Sequence, residues 1–212
     1  MENNKRGRKK RLLIVIAAIF ALLIILSVAV SIIESYQERK YNTAKTVRTD
    51  YNFYPADYNE DIFEDPEYID LVKNGYCTFT DYGGSVTLGI DPENPDKLSR
   101  EARLMSQYVL AIINADINSY NEFHSEDFFR KNEKKTAFTK QKLYNINITA
   151  ISSEEVETKD GSFMKYKMSL SYEILKNNGT FRNDFLTGYR TQYFILTDKT
   201  GELLVDDIYY LN

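Results

Sequence analysis

Tryptophan is absent from this chain of 212 residues, cysteine and histidine occur once each, and only four prolines and nine glycines punctuate it. With Cys77 alone, no intrachain disulfide can form, so the fold must rest on its hydrophobic core. Cys77 also lies far beyond the N-terminal apolar run, which excludes a lipid-modified cysteine directly after a signal sequence. It is expected as a buried small hydrophobe, with an intermolecular disulfide as the alternative. A single histidine, no cysteine pair and no His-x-Glu arrangement leave no metal-ligand pattern, and no cofactor is expected. Basic charge is also scarce outside the N-terminus. The net charge is −4, yet residues 1–11 carry +5, so residues 34–212 carry −9. Nucleic acid and anionic lipid need clustered Lys and Arg, and an acidic domain excludes both as its main partner.

What the chain does have is 22 consecutive uncharged residues, 12–33, preceded by Lys5, Arg6, Arg8, Lys9, Lys10 and Arg11. As a helix this run spans about 33 Å, enough for a hydrocarbon core of about 30 Å. The pattern predicts a single transmembrane helix contacting the lipid bilayer through residues 12–33. The basic tail of residues 1–11 is then cytoplasmic and the C-terminal domain extracytoplasmic. A cleaved signal peptide is the competing reading, with Ser27-Val28-Ala29 as its exit, but the apolar run continues to Ile33. The high Asn, Lys, Ile and Tyr content suits a bacterial membrane protein.

Residues 34–60 show no apolar period and read as a stalk or linker. Within them Asp57-x-Asn59-x-Asp61 imitates the start of a calcium loop. Ile62 stands where that loop needs glycine and Tyr68 where it needs a bidentate Glu, so a solvated acidic stretch is expected. Residues 61–97 read as an extension with a short helix closed by Gly75 and a hairpin turning at Asp81-Tyr82-Gly83-Gly84. From Ser99 the period becomes helical, with Ala102, Met105, Val109, Ile112 and Ile113 on one face and Ser99 as cap. Asp116 caps a second helix and Ser125 begins a third turn. Residues 130–142, with five lysines, read as a solvated connection. The remainder has period two, with Lys159-Asp160-Gly161, the Asn178-Gly179 region and 198–201 as turns. The expected fold class is α+β: two to three helices packed on a curved antiparallel sheet of about four strands, within residues 98–212.

The helix from Ser99, the restart at Ala115-Asp116-Ile117 leading into Phe123, and the long strands over residues 142–211 together resemble the nuclear transport factor 2-like superfamily. A cystatin-like sheet wrapped on one helix fits the strands but explains the second and third helices less well. Resemblance to that superfamily implies a cone-shaped α+β fold. Its placement behind one anchor is similar to bitopic assembly subunits of type IV secretion and conjugation systems. Catalytic members of the superfamily use an acid or base inside the cone. Here the sole histidine, His124, sits beside Ser125, Glu126 and Asp127 and reads as a helix-end residue rather than a proton-transfer group. Asp206 and Asp207 read as a bulge or strand-end feature. No catalytic, cofactor-binding or metal residue is expected, and the chain is not read as an enzyme. The candidate ligand or partner surface comprises Tyr166, Met168, Tyr172, Tyr209 and Tyr210. The expected function is a membrane-anchored, non-catalytic domain that binds a protein partner or forms a homo-oligomer in an envelope, secretion or conjugation assembly. The alternatives are a small-ligand sensor and, further off, an isomerase or dehydratase.

Overall fold

The structure is a computed structural model that describes residues 51–81, 83–88, 98–159, 161–188 and 190–211. The chain divides into two units, 1–47 and 48–212, and every described residue belongs to the second.

Short capping side chains start each helix. Asp61 accepts a hydrogen bond from Phe63 N and opens a 3-10 turn at Ile62–Glu64. Asp65 accepts from Glu67 N and begins helix α1, Pro66–Val72, with Pro at a first-turn position where its missing N–H is not needed. Ser99 caps α2, Arg100–Asn114, and Glu101 lies in its positive first turn. Ala115 takes a left-handed φ of 56° and ends α2, after which Asp116 caps α3, Ile117–Glu122. Ser125 caps α4, Glu126–Phe129. Helix α2 buries its apolar face, including Met105, Val109, Ile112 and Ile113 at 0% exposure. These four side chains alone contribute roughly 6–12 kcal/mol of gross burial energy.

Six strands form one sheet in the order β2-β1-β3-β4-β5-β6, where β1 is Cys77–Asp81, β2 Gly84–Leu88, β3 Leu143–Thr158, β4 Gly161–Ile174, β5 Gln192–Thr197 and β6 Leu204–Tyr210. Strand β1 runs parallel to β3, with Cys77 beside Ile146 and Phe79 beside Ile148, while every other neighbouring pair is antiparallel. Alternation sends Met168, Leu170, Tyr172 and Ile174 of β4 into the core beside α2, and turns Lys165, Lys167 and Ser169 to the opposite face. Asn145 takes a φ of 49° at an irregularity of β3 and donates from Nδ2 to Glu173 Oε1 at 2.7 Å. Asparagine tolerates that left-handed conformation better than most side chains.

Three expectations are corrected. The four-stranded antiparallel sheet is a six-stranded mixed one, because the hairpin of β1 and β2 adds to the edge of β3 instead of standing apart. The expected transmembrane helix, and the single-pass membrane localisation built on it, find no counterpart. No helix among the described residues is long and apolar enough to cross a membrane, and residues 12–33 lie outside the described residues. Residues 130–142 are no solvated connection: Phe138, Thr139, Gln141 and Lys142 are buried, and Gln141 N donates to Ile113 O.

Candidate functional site

The five residues singled out from the sequence separate into two groups. Met168 and Tyr172, at 0% and 2% exposure, are core, and Tyr166 packs against that core half-buried. Burial raises the Tyr166 phenol above its ordinary range, with Glu101 reinforcing the effect. Tyr209 and Tyr210 are consecutive on β6 and therefore point to opposite faces.

On the helix-facing side, Tyr210 joins a polar cluster at the end of the core. Its hydroxyl accepts from Gln192 Nε2 at 3.1 Å. The buried Arg182 guanidinium stands 5.2 Å from the Tyr210 ring, 4.6 Å from Phe185 and 5.8 Å from Tyr172. It donates from Nε to Asp184 Oδ1 at 2.9 Å, adds a second bond to Asp184 Oδ2, and reaches the Tyr172 hydroxyl at 3.3 Å. Burial opposes the Asp184 charge, but the Arg182 pairing outweighs it and holds the carboxyl below its usual range. Arg182 and Asp184 thus satisfy one another in two parallel bonds, and the aromatic rings enclose the cation.

Beside this cluster lies the sole histidine. His124 is 5% exposed and is surrounded by the rings of Tyr108, Tyr120, Phe128 and Phe129 at 5.6, 4.9, 4.1 and 5.6 Å. Its Nδ1 lies 2.8 Å from the carbonyl oxygen of Tyr120. A carbonyl only accepts, so Nδ1 carries the proton and Nε2 the lone pair. Nε2 has no hydrogen-bond partner among the described residues. Burial pushes the imidazole pKa down to about 4, so the ring is neutral at pH 7.

The late acids do not meet it. Asp206 is the extra residue of a β-bulge opposite Ile195 and Leu196. It accepts from Ser125 Oγ at 2.7 Å and from Lys199 Nζ at 3.1 Å. Asp207 accepts from Ile208 N at 3.0 Å. Among the described residues no hydrogen bond links His124 to either carboxylate, so no acid/base pair is assembled there. Cys77 is 2% exposed, and burial pushes its thiol up to about 12, which makes it an unreactive core residue.

On the opposite face Tyr209 stacks on Tyr193 across β5 and β6, with ring centroids 5.5 Å apart and planes 23° from parallel. Lys167 of β4 places its ammonium 5.5 Å from each ring. Ile195 of β5, paired with Lys167 on one side and Asp207 on the other, continues the same face. Both tyrosines are partly exposed, so a flat aromatic surface with one cation faces outward. The sequence pattern did not single out Tyr193, although its alternation with the buried Gln192 and Phe194 marks it as outward-facing. No family model, curated protein or solved structure matches the chain.

Proposed function

We propose that residues 51–211 form a non-catalytic protein-binding domain, of nuclear transport factor 2-like element order, that engages a protein partner through the outward face of β4, β5 and β6. One observation carries the reading: Tyr193 and Tyr209 stack side by side under Lys167, partly exposed on a rigid sheet. Aromatic side chains fixed in this way offer large contact area at little conformational cost on association. The neutral, enclosed His124 and the separately bonded Asp206 support a binding role over acid/base catalysis.

A photo-reactive phenylalanine analogue placed at Tyr193 in the full chain, in cells that express it, tests the reading. It is expected to give a discrete protein adduct that disappears with Tyr209→Ala. The same analogue at Lys199, on the turn before β6, is the control. Equal adducts at both positions, or none at Tyr193, would overturn the proposal.

A further inference from the structure

Among the described residues seven large hydrophobic side chains are exposed, and five of them, Tyr51, Tyr54, Tyr58, Ile69 and Leu71, fall within residues 51–71. This concentration lies on a segment whose backbone is tied down at both ends. Tyr54 N donates to Asn177 O at 3.1 Å, and the Phe53 ring closes over Gly179. Further along, Lys142 Nζ donates to Glu60 Oε1 at 2.5 Å and to Asp65 Oδ2 at 2.7 Å. Lys176 Nζ bonds Asp65 at 3.0 Å and Glu67 at 3.1 Å, and Ile62 between them is fully buried. Yet Tyr54 and Tyr58 remain 51% and 62% exposed. An anchored backbone that leaves aromatic rings in water has already met the ordering cost of presenting them.

Charge identifies the occupant. Lys142 and Lys176 pair with Glu60, Asp65 and Glu67, sharing Asp65, and Lys73 pairs with Asp70. Among the described residues no cation pairs with Asp57, which stands between the exposed Tyr54 and Tyr58, or with Asp61 and Glu64, which follow them. We infer that residues 51–64 form a docking surface for an arginine-rich protein segment. The planar guanidinium stacks on tyrosine and pairs bidentately with carboxylates, which a lysine ammonium does not do. Nucleic acid, and residues 51–64 of a second copy with the same acids, are both repelled.

The test uses the full chain, titrated calorimetrically at low salt with hexa-arginine and hexa-lysine peptides. Hexa-arginine is expected to bind more tightly than hexa-lysine. Tyr54→Ala/Tyr58→Ala, which changes no charge, is expected to weaken hexa-arginine about tenfold, the effect of losing two exposed cation–π contacts. Asp57→Asn/Asp61→Asn/Glu64→Gln is expected to do the same. Glu154→Gln/Glu155→Gln/Glu157→Gln removes as much charge from the exposed end of β3 and is expected to leave the affinity within twofold. Tyr193→Ala/Tyr209→Ala is also expected to leave it unchanged, which separates this surface from the sheet face. An unaltered affinity in the tyrosine variant, equal binding of the two peptides, or equal losses from the two acid variants would overturn the inference.

Discussion

Acidification from pH 7 to pH 5 should destabilise this protein through His124, and the size of the effect follows from its surroundings. In the folded chain the imidazole is enclosed by four aromatic rings, and burial lowers its pKa from 6.5 to about 4. The unfolded chain therefore binds a proton below about pH 6.5 that the folded chain refuses until about pH 4. Stability is fully retained above 6.5 and falls as the pH drops through this window. Integrating between the two states gives a loss of about 2 kcal/mol at pH 5. Asp65 does not confuse the measurement. Its carboxyl is held far below its ordinary 3.8 by Lys142 and then Lys176, so its contribution is lost only at and below about that pH.

The comparison is with His124→Asn, which keeps a donor for the Tyr120 carbonyl but does not titrate. Urea unfolding at half-unit pH steps should show the wild-type chain losing about 2 kcal/mol more than the variant between pH 7 and pH 5. With a urea dependence of about 2 kcal/mol per molar, its midpoint should shift by about 1 M more. The smaller side chain leaves space, which lowers the variant's stability equally at every pH; only the difference in slope counts. Parallel curves would refute the assignment of His124 as a buried neutral imidazole.

Three other substitutions probe the packing. The Tyr68 hydroxyl is fully buried and has no hydrogen-bond partner among the described residues, so Tyr68→Phe should raise the thermal midpoint, with a gain of about 1 kcal/mol. Gly179 has a φ of 73°, and a Cβ there would meet the Phe53 ring at 3.0 Å. Gly179→Ala should cost about 1–2 kcal/mol from the left-handed backbone alone. The excess due to Phe53 should vanish in a Phe53→Ala background, as read by chemical denaturation. Lys142 is 4% exposed between Glu60 and Asp65, and Lys142→Met should cost about 1 kcal/mol, because Glu60 is partly exposed to water and Asp65 keeps its second cation, Lys176. It should also make residues 51–60 more open to limited proteolysis; equal cleavage would show that the ion pairs do not hold the segment.

Local chemistry makes the helices legible in the sequence itself. Ser99, Asp116 and Ser125 cap the helices their sequence positions indicate, because capping needs only a side-chain oxygen two or three residues ahead of the N–H it accepts. The β3–β4 and β5–β6 turns are equally visible, since Gly161 and Gly201 lie within a few residues of the strands they join. The parallel pairing of β1 with β3 is not. Its partners, such as Phe79 and Ile148, are distant in sequence, and nothing in either strand specifies an edge on the other. Lys142 is hidden for the same reason: its carboxylates, Glu60 and Asp65, lie 82 and 77 residues away. Within a lysine-rich stretch only Phe138 hints that the chain turns inward.

The candidate surface shows where alternation carries information and where it stops. Because Tyr209 and Tyr210 are adjacent on one strand, they cannot share a face, and the structure gives Tyr209 to the outer sheet and Tyr210 to the Arg182 cluster. The same rule places Tyr193 outward, opposite Tyr209, once the pairing of β5 with β6 is known. That pairing is not a property of either strand: the bulge at Asp206 shifts the register by one residue between Leu196 and Ile195. Without the bulge, every side chain beyond it on β6 would change faces relative to Val205. Deleting Asp206 joins Val205 directly to Asp207 and should therefore leave Tyr209 stacked on Tyr193 and Tyr210 beside Arg182, whereas one residue inserted between Asp207 and Ile208 and paired regularly would turn Tyr209 toward the core and Tyr210 outward. Asp206, which reads in the sequence as a bulge or strand-end feature, therefore preserves the binding surface by staying out of the ladder.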